Sequence, residues 1–378
     1  MIKIALLGST GSIGRQVLKT VDRYPDRFKV VSLACEKNAE LLSGQINRYR
    51  PETACIKDSE KAYKIREIPK ETTLYTGENA YLHAISEDAD IVFVAVSGFA
   101  GLAPTLRAIE MKKNVALANK ESLVAGGEIV MSLAEKNGVK IIPVDSEHSA
   151  IFRCLNYDFK AKFRRLIITA SGGAFRDLTK AETAKKTAAE ALKHPNWNMG
   201  KKITIDCATL ANKGLEVIEA CRLYNAPLAK VKAVMHPESI VHSMVEFDDG
   251  AVMAQLGYPS MEVPIQLALT YPETAETDVP RLDFSAMTLN FGEIDTDKYP
   301  CFSLALKAFE AGDNYPCAMS AANEAAVGLY LEDKIGFYDI AAAIEYALGK
   351  VERLKATEEN LGYTDFAARA AVYQKFGR

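Results

Sequence analysis

Short apolar runs alternate with helix-like segments over the first 145 residues of the chain. The candidate strands are residues 2–7, 29–34, 90–96, 114–118 and 140–144. The stretches between these runs are long enough for crossover helices. The pattern therefore predicts a parallel sheet with helices on both faces.

The pattern changes after this region. Further strands are predicted at residues 164–169, 202–206, 231–235, 241–247 and 251–256, and the Asp-Asp-Gly sequence at 248–250 joins the last two as a hairpin. This run indicates an α+β domain with an antiparallel part. Residues 270–300 are richer in Pro, Thr and Asp and are predicted to be a connection. Ala-rich segments at 302–311, 318–330, 338–351 and 366–376 are predicted to be helices.

Three glycines follow the first strand, in the sequence LLGSTGSIGRQVL at residues 6–18. Gly8, Gly11 and Gly14 allow a tight turn and a close approach to a pyrophosphate, which would bind the N–H groups at a helix start. The spacing is G-x-x-G-x-x-G rather than G-x-G-x-x-G, and a plain strand–turn–helix is the alternative. The position between a strand and a helix favours a dinucleotide site in a doubly wound, Rossmann-like α/β domain.

The bulk composition disfavours several classes of protein. The 378 residues carry a formal net charge of −3, so no basic field indicates binding to nucleic acid. No apolar run approaches the roughly 20 residues that a bilayer span requires, and no secretory signal is predicted. The seven cysteines are scattered without a C-x-x-C pair, which favours free thiols in a reducing cytoplasm over a cysteine-rich zinc site.

Two acidic residues follow the run at 140–144. In an extended chain Asp145 and Glu147 point to one side and can converge on a cation, and oxygen ligands favour Mg²⁺ or Mn²⁺. Glu216 follows Asn212 by four residues on a predicted helix face and offers a third carboxylate. For Asp145 and Glu147 the alternative is a solvated strand end. For Glu216 the alternative is a solvated amphipathic helix on which Glu216 and Glu219 are both exposed.

Three further segments carry groups suited to a phosphorylated ligand. Residues 171–173 (SGG) offer backbone N–H groups to an anion, or form a simple turn. A strand is predicted to end at residue 206 and a helix to begin near 209, with Asn212 and Lys213 in its early turns, where anions are favoured. Lys120 follows the strand at 114–118, where ligands of parallel sheets bind, although an N-cap with solvated charges is the alternative.

The segment HPNWNMG at residues 194–200 holds the single Trp of the chain, and its composition disfavours a regular element. One interpretation is a loop that closes over a ligand, and the other is a Trp that anchors a surface loop. Taken together, the motifs indicate metal-assisted chemistry on a phosphorylated carbonyl compound, coupled to hydride transfer.

The ordered set of motifs resembles the 1-deoxy-D-xylulose 5-phosphate reductoisomerase family over essentially the whole chain. The motifs that carry the resemblance are LGSTGSIG (7–14), LANKESLV (117–124), PVDSEH (143–148), SGG (171–173), HPNWNMG (194–200), ATLANKGLE (208–216), HPESIVHSM (236–244) and SAANEAAV (320–327). The resemblance implies an NADPH-dependent, divalent-metal-dependent rearrangement and reduction of 1-deoxy-D-xylulose 5-phosphate to 2-C-methyl-D-erythritol 4-phosphate in the non-mevalonate isoprenoid pathway.

The resemblance also implies roles for individual residues. The implied cofactor residues are Thr10, Gly11, Ser12 and Ile13 at the pyrophosphate, Lys37 and Asn38 near the adenosine 2′-phosphate, and Asn119, Glu121 and Gly200. The implied ligands of Mn²⁺ or Mg²⁺ are Asp145, Glu147 and Glu216. The implied substrate residues are Lys120, Ser146, Glu147, Ser171, His194, Cys207, Asn212, Lys213 and Glu216. The implied catalytic residues are Glu147, Lys120 and His194, and His242 matches a family histidine of less certain role.

Two positions depart from the family pattern. Glu36 stands where the family usually has Gly, and an acidic residue at the end of the second strand is what NAD sites use for the ribose 2′-hydroxyl. The Glu36 carboxylate would repel a 2′-phosphate unless it turns away and Lys37 dominates, so the NADPH that the resemblance implies is expected and use of NADH is the alternative. Cys207 stands where the family typically has Ser, and a thiol is a weak donor. Loss of one hydrogen bond to a charged group costs on the order of 1.5–3 kcal/mol.

The predicted organisation is an NADPH-binding domain (1–145), a catalytic domain (146–275), a connection (276–300) and a helical domain (301–378). A cytoplasmic homodimer is expected, acting on a phosphorylated sugar without nucleic acid or membrane partners. Two other functions are alternatives. A dehydrogenase of the homoserine or aspartate-semialdehyde type would not need the carboxylate triad. A protein that only senses NADPH would need neither these acids nor Lys120.

Overall fold

The computed structural model describes residues 1–193, 196–197 and 199–377. The chain divides into two compact units. Unit 1 comprises Met1–Ser122, Val130–Asp145 and Met261–Asp278, and unit 2 comprises Leu123–Ile129, Ser146–Ser260 and Val279–Arg378. The four-part division made from the sequence stays a prediction.

The strands fall into two sheets. The first sheet is formed by β1 (Ile2–Leu7), β2 (Phe28–Cys35), β3 (Thr53–Ile56), β4 (Thr73–Thr76), β5 (Ile91–Val94), β6 (Asn114–Leu117) and β7 (Ile141–Pro143). The second sheet is formed by β8 (Arg165–Ala170), β9 (Val231–Met235), β10 (Val241–Glu246) and β11 (Val252–Leu256).

The helices are α1 (Ser12–Arg23), α2 (Ala39–Tyr49), α3 (Ala80–His83), α4 (Leu102–Glu110), α5 (Lys120–Asn137), α6 (Ser146–Cys154), α7 (Lys180–Thr183), α8 (Ala188–Ala191), α9 (Lys201–Ala208), α10 (Ala211–Leu223), α11 (Glu262–Thr270), α12 (Pro300–Ala311), α13 (Tyr315–Leu331), α14 (Asp339–Leu348) and α15 (Glu358–Phe376). Short 3-10 turns occur at Ser59–Lys64, Gly98–Gly101, Leu228–Lys230 and Phe284–Ala286. Within the described part of the chain, no helix combines the length and apolar character needed to cross a membrane.

The sheet of unit 1 is parallel throughout and has the strand order β4-β3-β2-β1-β5-β6-β7. The direction of the strand order reverses at β1, which lies between β2 and β5. In doubly wound sheets the carboxyl ends of the strands at this reversal form the ligand-binding crevice. The predicted α/β fold is confirmed, and the glycine turn follows β1 at this point.

Unit 2 contains the second sheet, in the order β11-β10-β8-β9, with β8 and β9 parallel and the other pairs antiparallel. The predicted hairpin is confirmed, because the Phe247 N–H donates to the Ala251 carbonyl at 2.9 Å and Gly250 takes a φ of +89°. The four predicted C-terminal helices are present as α12 to α15. Their buried core includes Met319, Tyr330 and Phe337.

The strand predicted at residues 202–206 is wrong, because this segment lies in helix α9. Ile203 and Ile205 alternate with polar residues, which is typical of a strand. The local contacts are helical, since Lys202 Nζ lies 2.9 Å from the Asp206 carboxylate one turn later and the Thr204 hydroxyl donates to the Gly200 carbonyl at 2.8 Å. The following helix, α10, begins at Ala211 after Leu210, whose φ is +54°.

Candidate active site

The glycine turn of unit 1 has no room for side chains at two positions. Gly8 has a φ of +87°, and a Cβ there would lie 2.3 Å from the Ala95 carbonyl oxygen after β5. A Cβ on Gly14 would lie 2.2 Å from the Gly8 carbonyl oxygen. Glycine is therefore required for the first turn of α1 to pack directly against the loop.

The backbone of this turn leaves the start of α1 open to a ligand. The N–H groups of Gly8 and Ser9 donate to the Ala34 carbonyl at 2.8 and 2.9 Å. Gly11 is the N-cap residue of α1 and provides no side-chain cap. The first N–H groups of a helix have no carbonyl partner inside the helix, and a pyrophosphate satisfies them while interacting with the helix dipole. The cradle and the uncapped helix fit a dinucleotide.

The residues expected near the adenosine 2′-phosphate follow β2. Glu36, Lys37 and Asn38 are exposed. The Asn38 side chain caps α2 by accepting from the Leu41 N–H at 3.2 Å. An exposed Lys37 ammonium is placed to attract a phosphate, and the neighbouring Glu36 carboxylate opposes it.

Asn119 has a structural role that the sequence did not reveal. Its side-chain N–H groups donate to the carbonyls of Val96 and Gly98 at 3.0 and 2.9 Å, and to the Glu121 carboxylate at 3.1 Å. Its oxygen accepts from the Ser122 N–H at 3.0 Å and caps α5. Asn119 thus fixes the loop after β5 at the carboxyl edge of the sheet, where the cofactor residues are expected.

Lys120 and Asp145 meet at the same edge of the sheet. Lys120 follows β6 and Asp145 follows β7, and their side chains form an ion pair in which both groups are largely buried. Neighbouring parallel strands carry their carboxyl ends to one edge, so this contact is a direct result of the strand order. Asp145 is the last residue of unit 1 in this part of the chain.

Glu147 lies on the first turn of α6, so the expectation of an extended chain at residues 145–147 is wrong. The helix begins at Ser146, whose hydroxyl donates to the Glu147 carboxylate at 2.6 Å. The other carboxylate oxygen of Glu147 lies 2.7 Å from Lys213 Nζ on α10. The partner of Glu147 in unit 2 is therefore supplied by a helix 66 residues further along the chain.

Glu216 lies on α10, one turn after Asn212 and Lys213, and both of these residues donate to its carboxylate. It is 1% exposed, so the alternative of a solvated amphipathic helix is wrong. Burial favours a neutral Lys213, but the carboxylates of Glu147 and Glu216 outweigh this effect and raise its pKa. The ammonium is therefore charged and bridges the two carboxylates.

This pair of carboxylates fits a divalent cation. Carboxylate oxygens of Glu147 and Glu216 approach within 4.8 Å of each other, and a positive group already lies against both. An oxygen-only donor set favours hard ions such as Mg²⁺ and Mn²⁺. The two carboxylates carry two negative charges, of which the Lys213 ammonium balances one, whereas a divalent ion in its place would balance both.

The expected phosphate segment packs against the end of α9. Gly172 and Gly173 have φ values of +81° and +67°, and a Cβ on Gly173 would lie 2.6 Å from Ala208 Cα. Only glycine allows this approach, which brings the segment containing Ser171 beside Cys207. Cys207 is half-buried, as is Ser171.

A buried lysine supports this segment. Lys298 is 8% exposed, and its ammonium donates to the carbonyls of Phe175 and Arg176 at 2.9 and 2.8 Å. Burial lowers the pKa of Lys298. Lys298 could not be recognised from the sequence, because a lysine that binds backbone carbonyls 123 and 122 residues away has no periodic signal.

Part of the expected lid can be described. The Asn196 side chain donates to the Pro237 carbonyl at 2.6 Å, and the rings of Trp197 and His242 lie 6.2 Å apart at 71°. His242 is buried, and this burial lowers its pKa. Gly200 is the N-cap residue of α9. His194 lies outside the described residues.

A second buried pair lies beside Glu147 and Glu216. His148 Nε2 is 3.0 Å from the Glu219 carboxylate, and both residues are at most 1% exposed. The Tyr224 hydroxyl donates to the His148 carbonyl at 2.6 Å. The pair holds α6 against α10. The alternative of a solvated helix, which had Glu219 exposed, is therefore wrong for this residue too, and its spacing of three residues from Glu216 places both on one helix face.

Comparisons with known proteins agree along the whole chain. Family models described as 1-deoxy-D-xylulose 5-phosphate reductoisomerase, its C-terminal domain, and the DXP reductoisomerase C-terminal domain match residues 4–127, 141–224 and 256–371. The 1-deoxy-D-xylulose 5-phosphate reductoisomerase of Caldanaerobacter subterraneus subsp. tengcongensis is 47% identical over 382 residues, with 100% of both chains covered. That of Crocosphaera subtropica is 49% identical, with 98% of this chain and 96% of its own covered.

Two solved structures are similar over nearly the full length. The Zymomonas mobilis 1-deoxy-D-xylulose 5-phosphate reductoisomerase in complex with NADPH has a TM-score of 0.92 at 38% identity and covers 99% of each chain. A DOX-P reductoisomerase in complex with NADPH, fosmidomycin and magnesium has a TM-score of 0.95 at 35% identity, covering 100% of this chain and 98% of its own. This chain belongs to the 1-deoxy-D-xylulose 5-phosphate reductoisomerase family.

Proposed function

We propose that this chain converts 1-deoxy-D-xylulose 5-phosphate to 2-C-methyl-D-erythritol 4-phosphate, with NADPH as reductant and a divalent cation as the second cofactor. The observation that carries the proposal is the convergence of Glu147 and Glu216 on one buried positive group. The uncapped helix after the glycine turn supports the cofactor assignment, and family membership supports the substrate.

Three carboxylates would hold the cation. Glu147 and Glu216 converge in unit 2, and Asp145 precedes Glu147 by two residues in the chain. Bound there, Mg²⁺ or Mn²⁺ would act as a Lewis acid and polarise the carbonyl and hydroxyl oxygens of the substrate. Magnesium is present in a similar solved structure, and the oxygen donor set accepts manganese equally well.

The residues around these carboxylates supply charge and proton transfer. Lys120 adds positive charge at the reacting oxygens and favours a developing alkoxide. Glu147 moves the proton of the reacting hydroxyl, and ligation reduces its basicity. Ser146, which donates to Glu147, would contact the same hydroxyl groups of the substrate. These assignments follow the family pattern at each position.

The phosphate of the substrate would bind to Ser171, Cys207, Asn212 and Lys213. Binding at a distance from the reacting carbons orients them and helps to close the loop at 194–200 over the site. Trp197 on that loop excludes water, and His194 lies on the same loop and completes the proposed catalytic set. Gly173 supports the assignment, because it places the Ser171 segment beside Cys207.

NADPH would bind with its pyrophosphate at residues 10–13 and its 2′-phosphate near Lys37 and Asn38, and it supplies hydride to the rearranged aldehyde. Asn119, Glu121 and Gly200 would line the remaining cofactor surface. Glu36 disfavours the 2′-phosphate relative to the family pattern, so the preference for NADPH over NADH is expected to be smaller here.

We also propose a cytoplasmic homodimer. Strand β11 is an edge strand of the second sheet, and its residues Val252 and Met253 are 52% and 51% exposed. An exposed apolar edge strand is a ready template for pairing with a second copy. Scattered cysteines without disulfides support a reducing compartment.

The test follows NADPH absorbance with 1-deoxy-D-xylulose 5-phosphate, with and without Mg²⁺ or Mn²⁺, and repeats it with NADH. We expect turnover that requires both substrate and cation. NADPH binding without turnover would instead support a sensor. Turnover that is indifferent to metal removal by a chelator would favour a metal-independent dehydrogenase.

A further inference from the structure

The Gln45 side chain on α2 forms two hydrogen bonds with Ser9 in the glycine turn of unit 1. Ser9 lies in the turn and is 0% exposed, and Gln45 on α2 is 6% exposed. The Ser9 hydroxyl donates to Gln45 Oε1 at 2.7 Å, and Gln45 Nε2 donates to the Ser9 carbonyl at 2.9 Å. One buried amide therefore satisfies both the side chain and the backbone of one turn residue.

Ser9 is consequently fixed on two sides. Its N–H donates to the Ala34 carbonyl near the end of β2, and its carbonyl and hydroxyl bind Gln45. The turn cannot shift relative to α2 without breaking buried hydrogen bonds, and buried polar groups that lose their partners are costly.

The same helix begins at the opposite end of the expected cofactor site. Asn38 is the N-cap residue of α2, and Gln45 follows it by seven residues. Seven residues are close to two helical turns, so the two side chains lie on one face about 10 Å apart along the axis. A single rigid element thus carries the start of the 2′-phosphate region and the contact to the pyrophosphate turn.

We propose that Gln45 is a positioning residue that sets the distance between the pyrophosphate and 2′-phosphate subsites. The inference rests on the proposed use of NADPH. A ligand that contacts both subsites depends on their spacing, whereas a ligand without a 2′-phosphate depends on the turn alone. Gln45 thereby contributes to the preference for NADPH without touching the cofactor.

The test is Gln45→Leu, which removes both hydrogen bonds and fills the buried position with an apolar side chain of comparable size. Dissociation constants for NADPH and for NADH are measured by calorimetry without substrate or metal. We expect the constant for NADPH to rise about tenfold, as the loss of one net hydrogen bond implies, and that for NADH to rise less than about threefold. The KM for NADPH should rise with its dissociation constant, and kcat should change less.

Asn47→Leu is the matched control, because Asn47 is an exposed amide on α2 that donates to the Ser43 carbonyl of its own helix. Ser9→Ala removes one of the two bonds and should give an intermediate loss of NADPH affinity. Unchanged NADPH binding, or equal losses for NADPH and NADH, would overturn the inference. If Gln45→Leu does not fold, Ser9→Ala is judged by the same ratio. A parent protein that fails to bind NADPH would refute the proposed function instead.

Discussion

Lys213 Nζ lies 2.7 Å from the Glu147 carboxylate and also contacts Glu216, so one lysine of α10 bridges two acidic side chains from different helices. From the resemblance to the family, the two acids are expected to bind a cation and the lysine is expected to bind the phosphate of the substrate. The structure shows that the lysine can neutralise the acids itself. Binding of a cation and release of Lys213 toward a phosphate are therefore expected to be linked.

We expect Lys213→Met to bind Mg²⁺ or Mn²⁺ about tenfold more tightly in the absence of substrate, because an ammonium near 4 Å repels a second cation. Affinity for inorganic phosphate should fall at the same time. Calorimetric titration with each ion measures both changes, and Lys201→Met, at an exposed position on α9, is the control. Weaker metal binding would contradict the expected competition between Lys213 and the cation.

Glu216→Gln should lose metal-dependent turnover by at least about a hundredfold, since the neutral amide neither balances the cation nor matches the charge of the carboxylate. NADPH binding should stay nearly intact. Initial rates over a range of Mg²⁺ concentrations and an NADPH titration separate the two effects. Glu310→Gln, on the exposed face of α12, is the matched control. Unchanged activity would remove Glu216 from the site.

Lys298→Met should raise the KM for the phosphorylated substrate about tenfold, because the carbonyls of Phe175 and Arg176 lose their buried donor and the segment from Ser171 loosens. The KM for NADPH should change little. Steady-state kinetics with each substrate varied provide the comparison, and Lys307→Met on α12 is an exposed control. Equal shifts in both constants would indicate general destabilisation.

The Glu262 carboxylate makes unit 1 sensitive to acid. Burial alone would raise the pKa of Glu262, but the Arg23 guanidinium and the Asp278 N–H lower it below its usual 4.5. The folded state therefore keeps the charge to a lower pH than the unfolded chain does. The contribution to stability is fully present above pH 4.5 and decreases as the pH falls through the folded-state value.

Glu262→Gln tests this dependence by denaturant unfolding at several pH values. At pH 7 we expect a loss of about 1.5–3 kcal/mol in the free energy of unfolding, the usual range for a hydrogen bond to a charged group. The difference from the parent protein should shrink toward pH 3. A difference that stays constant with pH would contradict the assignment. Glu276→Gln in the same segment of unit 1 is the control, since Glu276 is exposed and its backbone carbonyl, which the substitution keeps, accepts from the Tyr24 hydroxyl.

The sheet of unit 1 was predictable where its strands are buried. The apolar runs that form β1, β2, β5, β6 and β7 were recognised from sequence. Strands β3 and β4 were missed although they are as long as β5 and β6, because Thr53–Ile56 (TACI) and Thr73–Thr76 (TLYT) contain few large apolar residues. Thr73–Thr76 also forms a largely exposed edge, which leaves little apolar pattern to detect.

The acidic residues of the site were recognisable from motifs, but their supporting contacts were not. Gln45, Lys298 and the pair His148–Glu219 bind backbone groups or partners that are distant in sequence. Such contacts depend on how strands and helices pack, and a single polar residue gives no periodic signal. The helix at residues 202–206 was not predicted either. Its two isoleucines alternate with polar residues as in a strand, whereas the helix depends on contacts between residues one turn apart.

Gly173 packs against the end of α9, which brings the segment containing Ser171 beside Cys207. A ligand bound to that segment would therefore change the access of reagents to the Cys207 thiol. The other six cysteines are buried, and burial raises the pKa of Cys35 and Cys55 to about 12, so their thiols stay protonated and inert. Cys207 is the most accessible of the seven cysteines. A fluorescent maleimide should attach there first, which gives the native chain a built-in reporter that sugar phosphates would shield.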